Sequence, residues 1–194
     1  SVLGLDGNPD PVLDIDDASQ AKNVTDVSPL HVEYILNQDV DASEIRLAKQ
    51  FCKAQRVYGA ESYIRGFSGH VLDLLIAEHG SFYELARSAA GWQPPIVFDP
   101  ASHHSNPLIA IPKSKHGPLL LVDPIQPNRN AAAALDREQL DRFIASCKKF
   151  VREPSADFFV IEDFDEDSLL DRLEQESVWA ELYVTHDADE KKDV

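Results

Sequence analysis

Four basic residues near the middle of the first half of the chain are spaced for anion binding. They are Arg46, Lys49, Lys53 and Arg56, separated by three, four and three positions. Side chains at this spacing lie on one face of a helix, so the pattern predicts a cationic stripe. Such a stripe binds phosphate or polyphosphate. The alternative interpretation is a solvated basic face that pairs with acidic residues elsewhere in the chain.

Two other residues could add donors to a phosphate site. Tyr58 follows the stripe, and its hydroxyl can donate to an anionic oxygen. His31 lies one turn into a predicted helix, for which Ser28 is the expected N-cap and Pro29 the first helical residue. Free N–H groups at a helix N-terminus bind anions. Each residue also has an ordinary interpretation: half-buried packing for Tyr58 and a surface position for His31.

The negative charge of the chain is concentrated at its ends. The 194 residues include 18 Lys+Arg and 34 Asp+Glu, which gives a formal net charge of −16. Taken alone, this total argues against binding to RNA or DNA. Residues 1–26 carry −5 and residues 153–194 carry −12, whereas residues 27–152 carry +1. The local field of the middle segment therefore remains compatible with an RNA-processing role.

Composition narrows the class of protein further. The length fits one or two domains, and no apolar run reaches the ~18–20 residues of a membrane span, so no membrane partner is expected. Cys52 and Cys147 lack CxxC spacing. We therefore expect free thiols in a reducing compartment, the cytoplasm.

Capping signals and hydrophobic periodicity predict a mainly helical middle with a few strands, an α+β fold. Predicted helices begin at Ser28, after Asp41 (to about Ala54), after the turn at 66–69 (to Gly80), after Ser81 (to Gly91) and at Arg129, and a longer one covers 137–152. Predicted strands cover 62–64, 107–111, 118–122 and 158–161. A helix at 168–176 and a strand at 178–184 would complete an unfinished α/β unit.

The predicted domain organisation has four parts. Residues 1–26 form a polar N-terminal segment, with a palm remnant as one interpretation. Residues 27–153 form the helical domain, 154–185 the start of a C-terminal α/β unit, and 186–194 a disordered acidic tail. A βαβ start with nothing after it cannot bury both faces of its sheet. We therefore expect more chain or a partner.

Six motifs occur in an order that resembles one enzyme family. They are Ser28-Pro29-Leu30-His31; Lys49-Gln50-Phe51 through Val57-Tyr58-Gly59-Ala60-Glu61; Gly66-Phe67-Ser68-Gly69; Tyr83 through Trp92; Val122-Asp123-Pro124 with Pro127-Asn128-Arg129-Asn130-Ala131-Ala132-Ala133; and Pro154-Ser155 with Phe158-Phe159. Over about residues 26–160 the chain resembles the archaeal-type, class I CCA-adding tRNA nucleotidyltransferases, downstream of their catalytic head.

The resemblance implies a substrate-binding neck domain followed by a partial ferredoxin-like body domain. In this family CTP and ATP are added stepwise to the tRNA 3′ end. The resemblance implies that His31, Lys49 and Tyr58 contact the triphosphate, with Ser28 where the family usually has Thr. It also implies that Arg129 faces the edge of the incoming base. Arg46, Lys53 and Arg56 would continue the phosphate or RNA stripe.

The family's catalytic head is expected to be missing. That head carries a Gly-Ser loop and paired carboxylates that hold Mg²⁺ for nucleotidyl transfer. The chain is thus expected to be truncated at both ends, to contain no catalytic residue, and to be inactive alone. Its implied partners are CTP or ATP, the tRNA 3′ end and a palm segment in the same or another chain.

Two other hypotheses remain open. One is a stand-alone noncatalytic tRNA- or nucleotide-binding module, or the trans subunit of a split nucleotidyltransferase. The other is a degenerate protein-interaction domain whose basic stripe forms only salt bridges.

Metal sites are not expected. The acids at 163–174 have EF-hand spacing but lack the required Gly. His103, His104 and His116 have no partnering Cys and are expected to be solvated loop residues.

Overall fold

The computed structural model describes the backbone of residues 24–161 and side chains from residue 29 onward. Several predictions fall outside this part of the chain. They are most of the segment 1–26, the acids at 163–174, the helix at 168–176, the strand at 178–184 and the tail at 186–194.

Helices account for about half of the described residues. In chain order the elements are α1 (Val24–Leu36), α2 (Ala42–Ala54), α3 (Gly69–His79), α4 (Phe82–Ala89), β1 (Ile96–Phe98), α5 (Pro107–Ala110), β2 (Leu119–Leu121) and α6 (Arg137–Arg152). Two 3₁₀ turns cover Lys113–Lys115 and Ala156–Phe159. This confirms the predicted α+β class with a mainly helical domain. Within residues 24–161, no helix is long and apolar enough to cross a bilayer.

Side-chain caps explain where the principal helices begin. The carboxylate of Asp41 accepts the N–H of Ser43 at 2.8 Å, and that of Asp136 accepts the N–H of Gln139 at 3.0 Å. Ser68 and Ser81 cap α3 and α4 in the same way through their hydroxyls. Each cap satisfies a backbone donor that has no partner within the helix. Gly80 ends α3 with a left-handed φ of 79° that favours glycine.

Glu44 lies three residues after the N-cap Asp41, at the position of the acid in a capping box, but its carboxylate bonds elsewhere. Its Oε2 accepts the N–H of Phe82 at 2.8 Å, at the first residue of α4. Glu44 therefore satisfies a free donor of a neighbouring helix and ties the start of α4 to α2.

The two strands form a small parallel sheet. Ile96, Val97 and Phe98 pair with Leu119, Leu120 and Leu121. The second strand confirms the one predicted at 118–122, whereas β1 lies in a segment where no strand was predicted. Three residues between Pro95 and Asp99 carry too short a pattern to reveal a strand that depends on a partner more than twenty positions away. Asp123 lies two positions after the last residue of β2, with Val122 between them.

Aromatic side chains form the centre of the core. Phe51 of α2 contacts the rings of Phe82, Phe143 and Phe150, with centroid separations of 5.0 to 6.1 Å. These residues come from α2, α4 and α6, so one ring of α2 joins three helices. Cys52 and Cys147 are free, as predicted, and both lie buried in the core, where burial raises the pKa of each thiol.

Three predicted strands are wrong. Residues 62–64 form a turn in which the N–H groups of Ile64 and Arg65 donate to the carbonyl of Glu61. Residues 107–110 form α5, with Pro107 at its first turn. Residues 156–159 form a 3₁₀ turn capped by Ser155. A short apolar run becomes a strand only beside a partner, and in these three segments local backbone hydrogen bonds form instead.

Two predicted helix starts are also wrong. Helix α1 begins at Val24, so Ser28 lies inside the helix and Pro29 is an interior residue. An interior proline removes one backbone donor and crowds the carbonyl four residues earlier, but α1 continues through Pro29 to Leu36. The segment after Arg129 forms turns rather than a helix. There the side chain of Asn130 competes for backbone groups, because its Oδ1 accepts the N–H groups of Leu121 and Ala132.

The predicted domain boundary at residue 153 does not separate the next few residues from the helical domain. Gln50 donates to the carbonyl of Phe159 at 2.7 Å, and Gln55 donates to the carbonyl of Phe158 at 3.0 Å. Both rings pack against Phe51. Residues 154–161 therefore pack on α2.

Candidate functional site

His31 and Lys49, two residues predicted to contact a triphosphate, line the same pocket. The pocket lies between α1, α2 and α3 and has a volume of about 270 Å³. Its other lining residues are Val32, Ile35, Leu36, Ile45, His70 and Asp73. One wall is thus apolar and the other carries ionisable groups.

Lys49 reaches the pocket already paired with an acid. Its Nζ lies 2.7 Å from Oδ1 of Asp73, which projects from α3. Both side chains are about one quarter to one third exposed. The pairing with an acid distant in sequence was one of the two interpretations of the basic stripe. It also fixes the ammonium group at the pocket.

Tyr58 and Lys49 converge on the start of α3. An isolated bridge between Tyr58 and Phe67 sets the position of the tyrosine. A methyl group built on Gly69 would lie 3.2 Å from Tyr58 Oη and 3.7 Å from Lys49 Nζ. Glycine at the first residue of α3 therefore leaves the space in which the hydroxyl and the ammonium meet. Tyr58 is half-buried and also packs against the core, so its packing role and its polar role are compatible.

Of the other three basic residues in the predicted stripe, two lie on α2 together with Lys49 and one lies beyond its end. Arg46 and Lys53 are exposed on α2. The Nζ of Lys53 lies 5.2 Å from the ring centroid of Tyr58, within cation–π range. The placement of Arg56 on the helical stripe is wrong, because α2 ends at Ala54 and Arg56 has a left-handed φ of 58°.

Asp123 is a fully buried carboxylate that connects His31 with Arg129. The Nε2 of His31 donates to Oδ1 at 2.8 Å, and NH1 of Arg129 donates to Oδ2 at 2.8 Å. The N–H groups of Ile125 and Gln126 donate to Oδ1 at 2.9 and 3.1 Å. Four donors from two parts of the chain therefore share one carboxylate.

These donors keep Asp123 ionised. Burial by itself would raise the pKa of the carboxyl group. Hydrogen bonding and charge from His31, together with His70 and the N–H of Ile125, outweigh burial and hold the pKa of Asp123 well below its ordinary value of 3.8. The site thus has a permanent negative charge behind His31 and Arg129.

His70 completes the group around Asp123. Its ring meets that of His31 edge-on, with centroids 4.3 Å apart. Its Nε2 is buried and lies 3.7 Å from Oδ2 of Asp123, beyond hydrogen-bonding distance. His70 therefore lies beside the carboxylate without completing a hydrogen bond to it.

His31, His70 and Asp123 are the residues within 24–161 whose ligand atoms lie close enough to hold a metal ion, all within 4.8 Å of one another. They do not fit Mg²⁺, which prefers several oxygen ligands. Two imidazoles and a carboxylate would suit zinc better. However, the oxygens of Asp123 already accept four N–H donors, one of them from a guanidinium. Asp123 is therefore better described as a buried, hydrogen-bonded carboxylate than as part of a metal centre.

Two loop histidines hold the turn that carries Arg129. The Nε2 atoms of His103 and His104 bond to the carbonyls of Pro124 and Pro127 at 2.8 and 2.7 Å. The Asp99 carboxylate accepts the backbone N–H of each histidine. His116 bonds in turn to the carbonyl of Ile111 at 2.9 Å. All three histidines lie in loops, as expected, and His103 is exposed, whereas His104 and His116 are only partly exposed and each of the three bonds to a backbone carbonyl.

Asn130 and Lys115 hold the other side of the same turn. The Nδ2 of Asn130 donates to the carbonyls of Lys115 and Leu119. Lys115 Nζ donates to the carbonyl of Asn128 at 2.9 Å. Arg129 thus projects from a braced turn, and its side chain remains 46% exposed. The bond to Asp123 uses one of its five N–H donors.

The structure brings together four of the five predicted nucleotide contacts and adds three residues that sequence reasoning missed. His31, Lys49, Tyr58 and Arg129 lie around the pocket and the Asp123 turn, whereas the side chain of Ser28 lies outside the described residues. The missed residues are His70, Asp73 and Asp123. A signal existed for Asp123, since polar residues at the carboxyl end of a parallel strand gather at binding sites. For His70 and Asp73 no sequence signal was available.

Comparison with known proteins identifies the family of the chain. Residues 43–160, more than half of the chain, match the family described as "tRNA nucleotidyltransferase, second domain". The matched range includes Lys49, Tyr58, Asp123 and Arg129.

Curated relatives are archaeal enzymes. The CCA-adding enzyme of Sulfurisphaera tokodaii is 35% identical over 151 residues, which cover 77% of this chain and 35% of that protein. The Halobacterium salinarum enzyme is likewise 35% identical over 151 residues, 77% of this chain and 32% of the relative. The Methanosarcina mazei enzyme is 34% identical over 179 residues, 88% of this chain and 37% of the relative. The chain thus spans about a third of the length of these relatives, and it belongs to the family of tRNA nucleotidyltransferase second domains.

Proposed function

We propose that this chain is the substrate-binding segment of a CCA-adding tRNA nucleotidyltransferase and binds the incoming CTP or ATP. In this proposal His31, Lys49 and Tyr58 contact the triphosphate, with Ser28 near the same end of the site. Arg129 donates to the edge of the base. The convergence of Lys49, Tyr58 and His31 on neighbouring walls, with Arg129 joined to His31 through Asp123, is the observation that carries the proposal.

The chemistry of each side chain suits its proposed role. An ammonium group is a compact charge for phosphate oxygens, and the tyrosine hydroxyl adds a donor beside it. A guanidinium offers directional donors to the acceptor groups of a base. Since one Arg129 donor is held by Asp123, the guanidinium is oriented while its other donors remain available.

The proposed contribution of these residues to catalysis is positioning. Holding a nucleotide in one orientation supplies effective concentration for a reaction completed by other groups. The metal-dependent step, with Mg²⁺ as the proposed ion, is assigned to carboxylates of a palm segment outside residues 24–161. Arg46, Lys53 and Arg56 are proposed to contact tRNA phosphates near the 3′ end, in the cytoplasm.

Nucleotide binding tests the proposal. We expect CTP and ATP to raise the melting temperature of the 194-residue chain, because a ligand that binds only the folded state stabilises it. Lys49→Ala should abolish most of this shift, whereas Lys148→Ala, at an exposed position of α6, should preserve it. Absence of a shift with either nucleotide would instead support a protein-interaction domain.

A nucleotide-incorporation assay addresses the division of labour. With tRNA that lacks its 3′ terminal nucleotides, we expect no incorporation by the 194-residue chain alone. Incorporation after a palm-containing segment is added would support the role of a positioning module. Turnover by the isolated chain would contradict the assignment of the chemical step to residues elsewhere.

A further inference from the structure

The carboxylate of Asp123 is shared by two side chains with different proposed tasks. His31 comes from α1, 92 positions earlier in the chain, and Arg129 follows Asp123 by six positions. Oδ1 and Oδ2 accept His31 Nε2 at 2.8 and 3.0 Å, while Oδ2 also accepts Arg129 NH1 at 2.8 Å. The two donors therefore bind adjacent lone pairs of the same group.

The position of Asp123 itself is fixed by the backbone. The N–H groups of Ile125 and Gln126 hold Oδ1, and His103 and His104 hold the carbonyls of the same turn. The side chain is fully buried, so no solvent can replace a lost donor. Loss of either His31 or Arg129 would leave a buried charge with fewer partners, and the remaining donor would be drawn toward it.

We propose that Asp123 is a positioning residue that couples the base contact of Arg129 to the triphosphate contact of His31. This inference rests on the proposed nucleotide-binding function. Through Asp123, a change at Arg129 alters the placement of the His31 ring, and a change at His31 alters the guanidinium. The triphosphate and the base are thereby bound as one unit rather than as two independent groups.

Inorganic tripolyphosphate separates the two contacts because it has no base. If the contacts are coupled, Arg129→Ala weakens tripolyphosphate binding even though Arg129 is assigned to the base. The same substitution also removes a positive charge, which weakens anion binding in any background. The informative quantity is therefore the fold-change caused by Arg129→Ala in the original chain compared with that in an Asp123→Asn chain.

We expect Arg129→Ala to weaken tripolyphosphate binding roughly fivefold in the original chain and less than twofold in the Asp123→Asn chain. The difference between these two fold-changes measures the coupling. Asp141→Asn, which changes an exposed carboxylate paired with Arg137, serves as the matched control background. In that background the fivefold effect should persist. Equal fold-changes in the original and Asp123→Asn chains would overturn the coupling.

A second measurement needs no ligand. The ¹⁵N signals of the His31 imidazole report its hydrogen bond to Asp123, and we expect Arg129→Ala to shift them. Arg137→Ala, which removes an exposed guanidinium from α6, should leave them in place. Unchanged His31 signals in Arg129→Ala would contradict the proposal, and this result remains decisive if Asp123→Asn fails to fold.

The two experiments also separate this inference from the function on which it rests. A chain that binds neither tripolyphosphate nor CTP fails the proposed function, while the imidazole signals still show whether Arg129 and His31 communicate. A chain that binds both ligands with independent contacts retains the proposed function and loses the coupling.

Discussion

Lys49 and Asp73 form an ion pair across the pocket, with 2.7 Å between Nζ and Oδ1. The pair joins α2 to α3 at the place where the triphosphate is proposed to bind. A bound triphosphate must therefore either share the Lys49 ammonium group with the Asp73 carboxylate or displace that carboxylate from it. In the chain without ligand, Asp73 keeps the ammonium group oriented toward the pocket.

Replacing Asp73 with Asn should tighten nucleotide binding. The substitution removes a negative charge that opposes the triphosphate and competes for Lys49. At low ionic strength we expect a gain of about 1 kcal/mol, roughly fivefold in Kd, because both groups are partly exposed to solvent. Calorimetric titration with CTP at 50 mM and 500 mM salt measures the effect, which should shrink at high salt. Asp141→Asn, the exposed control, should leave the Kd for CTP unchanged at both salt concentrations. Weaker CTP binding by Asp73→Asn would show that orientation of Lys49 by Asp73 outweighs the repulsion between Asp73 and the triphosphate.

Gly69→Ala should separate binding from stability. The added methyl group would lie 3.2 Å from Tyr58 Oη and 3.7 Å from Lys49 Nζ, within the space proposed for a phosphate. Alanine favours a helix more than glycine, so the free energy of unfolding should rise or stay within about 0.5 kcal/mol. We expect CTP affinity to fall by about 1 kcal/mol, roughly fivefold.

The control for this substitution lies at the other end of the same helix. Gly80→Ala places a side chain at a φ of 79° with no atom within 4 Å of the new methyl group. It should lower stability by about 1 kcal/mol and leave CTP affinity unchanged. If both glycine variants lose affinity in proportion to stability, the space at Gly69 has no specific role in binding.

Local signals explain why much of the helical framework could be predicted. The bounds of α6 match the prediction of 137–152, and Asp41 and Ser81 cap the helices at which they were expected. Helix α3 begins at Gly69, the last residue of the turn that was predicted to precede it. Caps act within three residues of the chain, so the sequence around them is sufficient. Strands depend on distant partners, which is why β1 was missed and the strand at 62–64 was wrong.

The candidate site shows the same difference between features that the local sequence reveals and features that depend on distant partners. Residue type and spacing indicated Lys49, Tyr58 and His31 as candidate anion contacts, and the resemblance to a known family added Arg129. The roles of all four residues remain predictions. The acids that hold two of them could not be paired from the sequence, because Asp73 is 24 positions from Lys49 and Asp123 is 92 positions from His31. The buried carboxylate gains its partners only when α1, the sheet and the following turn are brought together by the core.

Asp123 should give the stability of the chain a specific dependence on acid pH. Its pKa is lowered in the folded state, so its contribution is present above the unfolded value of about 3.8 and is lost as pH falls below that value toward the folded pKa. At pH 5 we expect Asp123→Asn to be less stable by about 3 kcal/mol, because a buried, paired charge loses its partners' attraction. The difference should narrow by about 1.4 kcal/mol per pH unit below pH 3.8.

Urea denaturation of the original and Asp123→Asn chains at pH 5, 3.5 and 2.5 measures this difference. Comparing two chains at each pH cancels the protonation of the other acids. A difference that stays constant down to pH 2.5 would show that the folded-state pKa of Asp123 is not lowered relative to the unfolded state.

His104 should stabilise the turn that carries Arg129. Its Nε2 bonds to the carbonyl of Pro127 at 2.7 Å, and the turn contains two backbone bonds, from Arg129 N–H to Gln126 O at 2.9 Å and from Asp123 N–H to Arg129 O at 3.0 Å. Removing one hydrogen bond of about 1 kcal/mol should speed local opening roughly fivefold. Hydrogen exchange of the Asp123 and Arg129 amides in His104→Ala tests this expectation.

His116→Ala is the matched control, since the Nε2 of His116 bonds to the carbonyl of Ile111 in a different loop. If both variants accelerate these amides equally, the effect reflects global destabilisation; if His104→Ala alone does so, the histidine acts on the turn and thereby on the guanidinium that it presents.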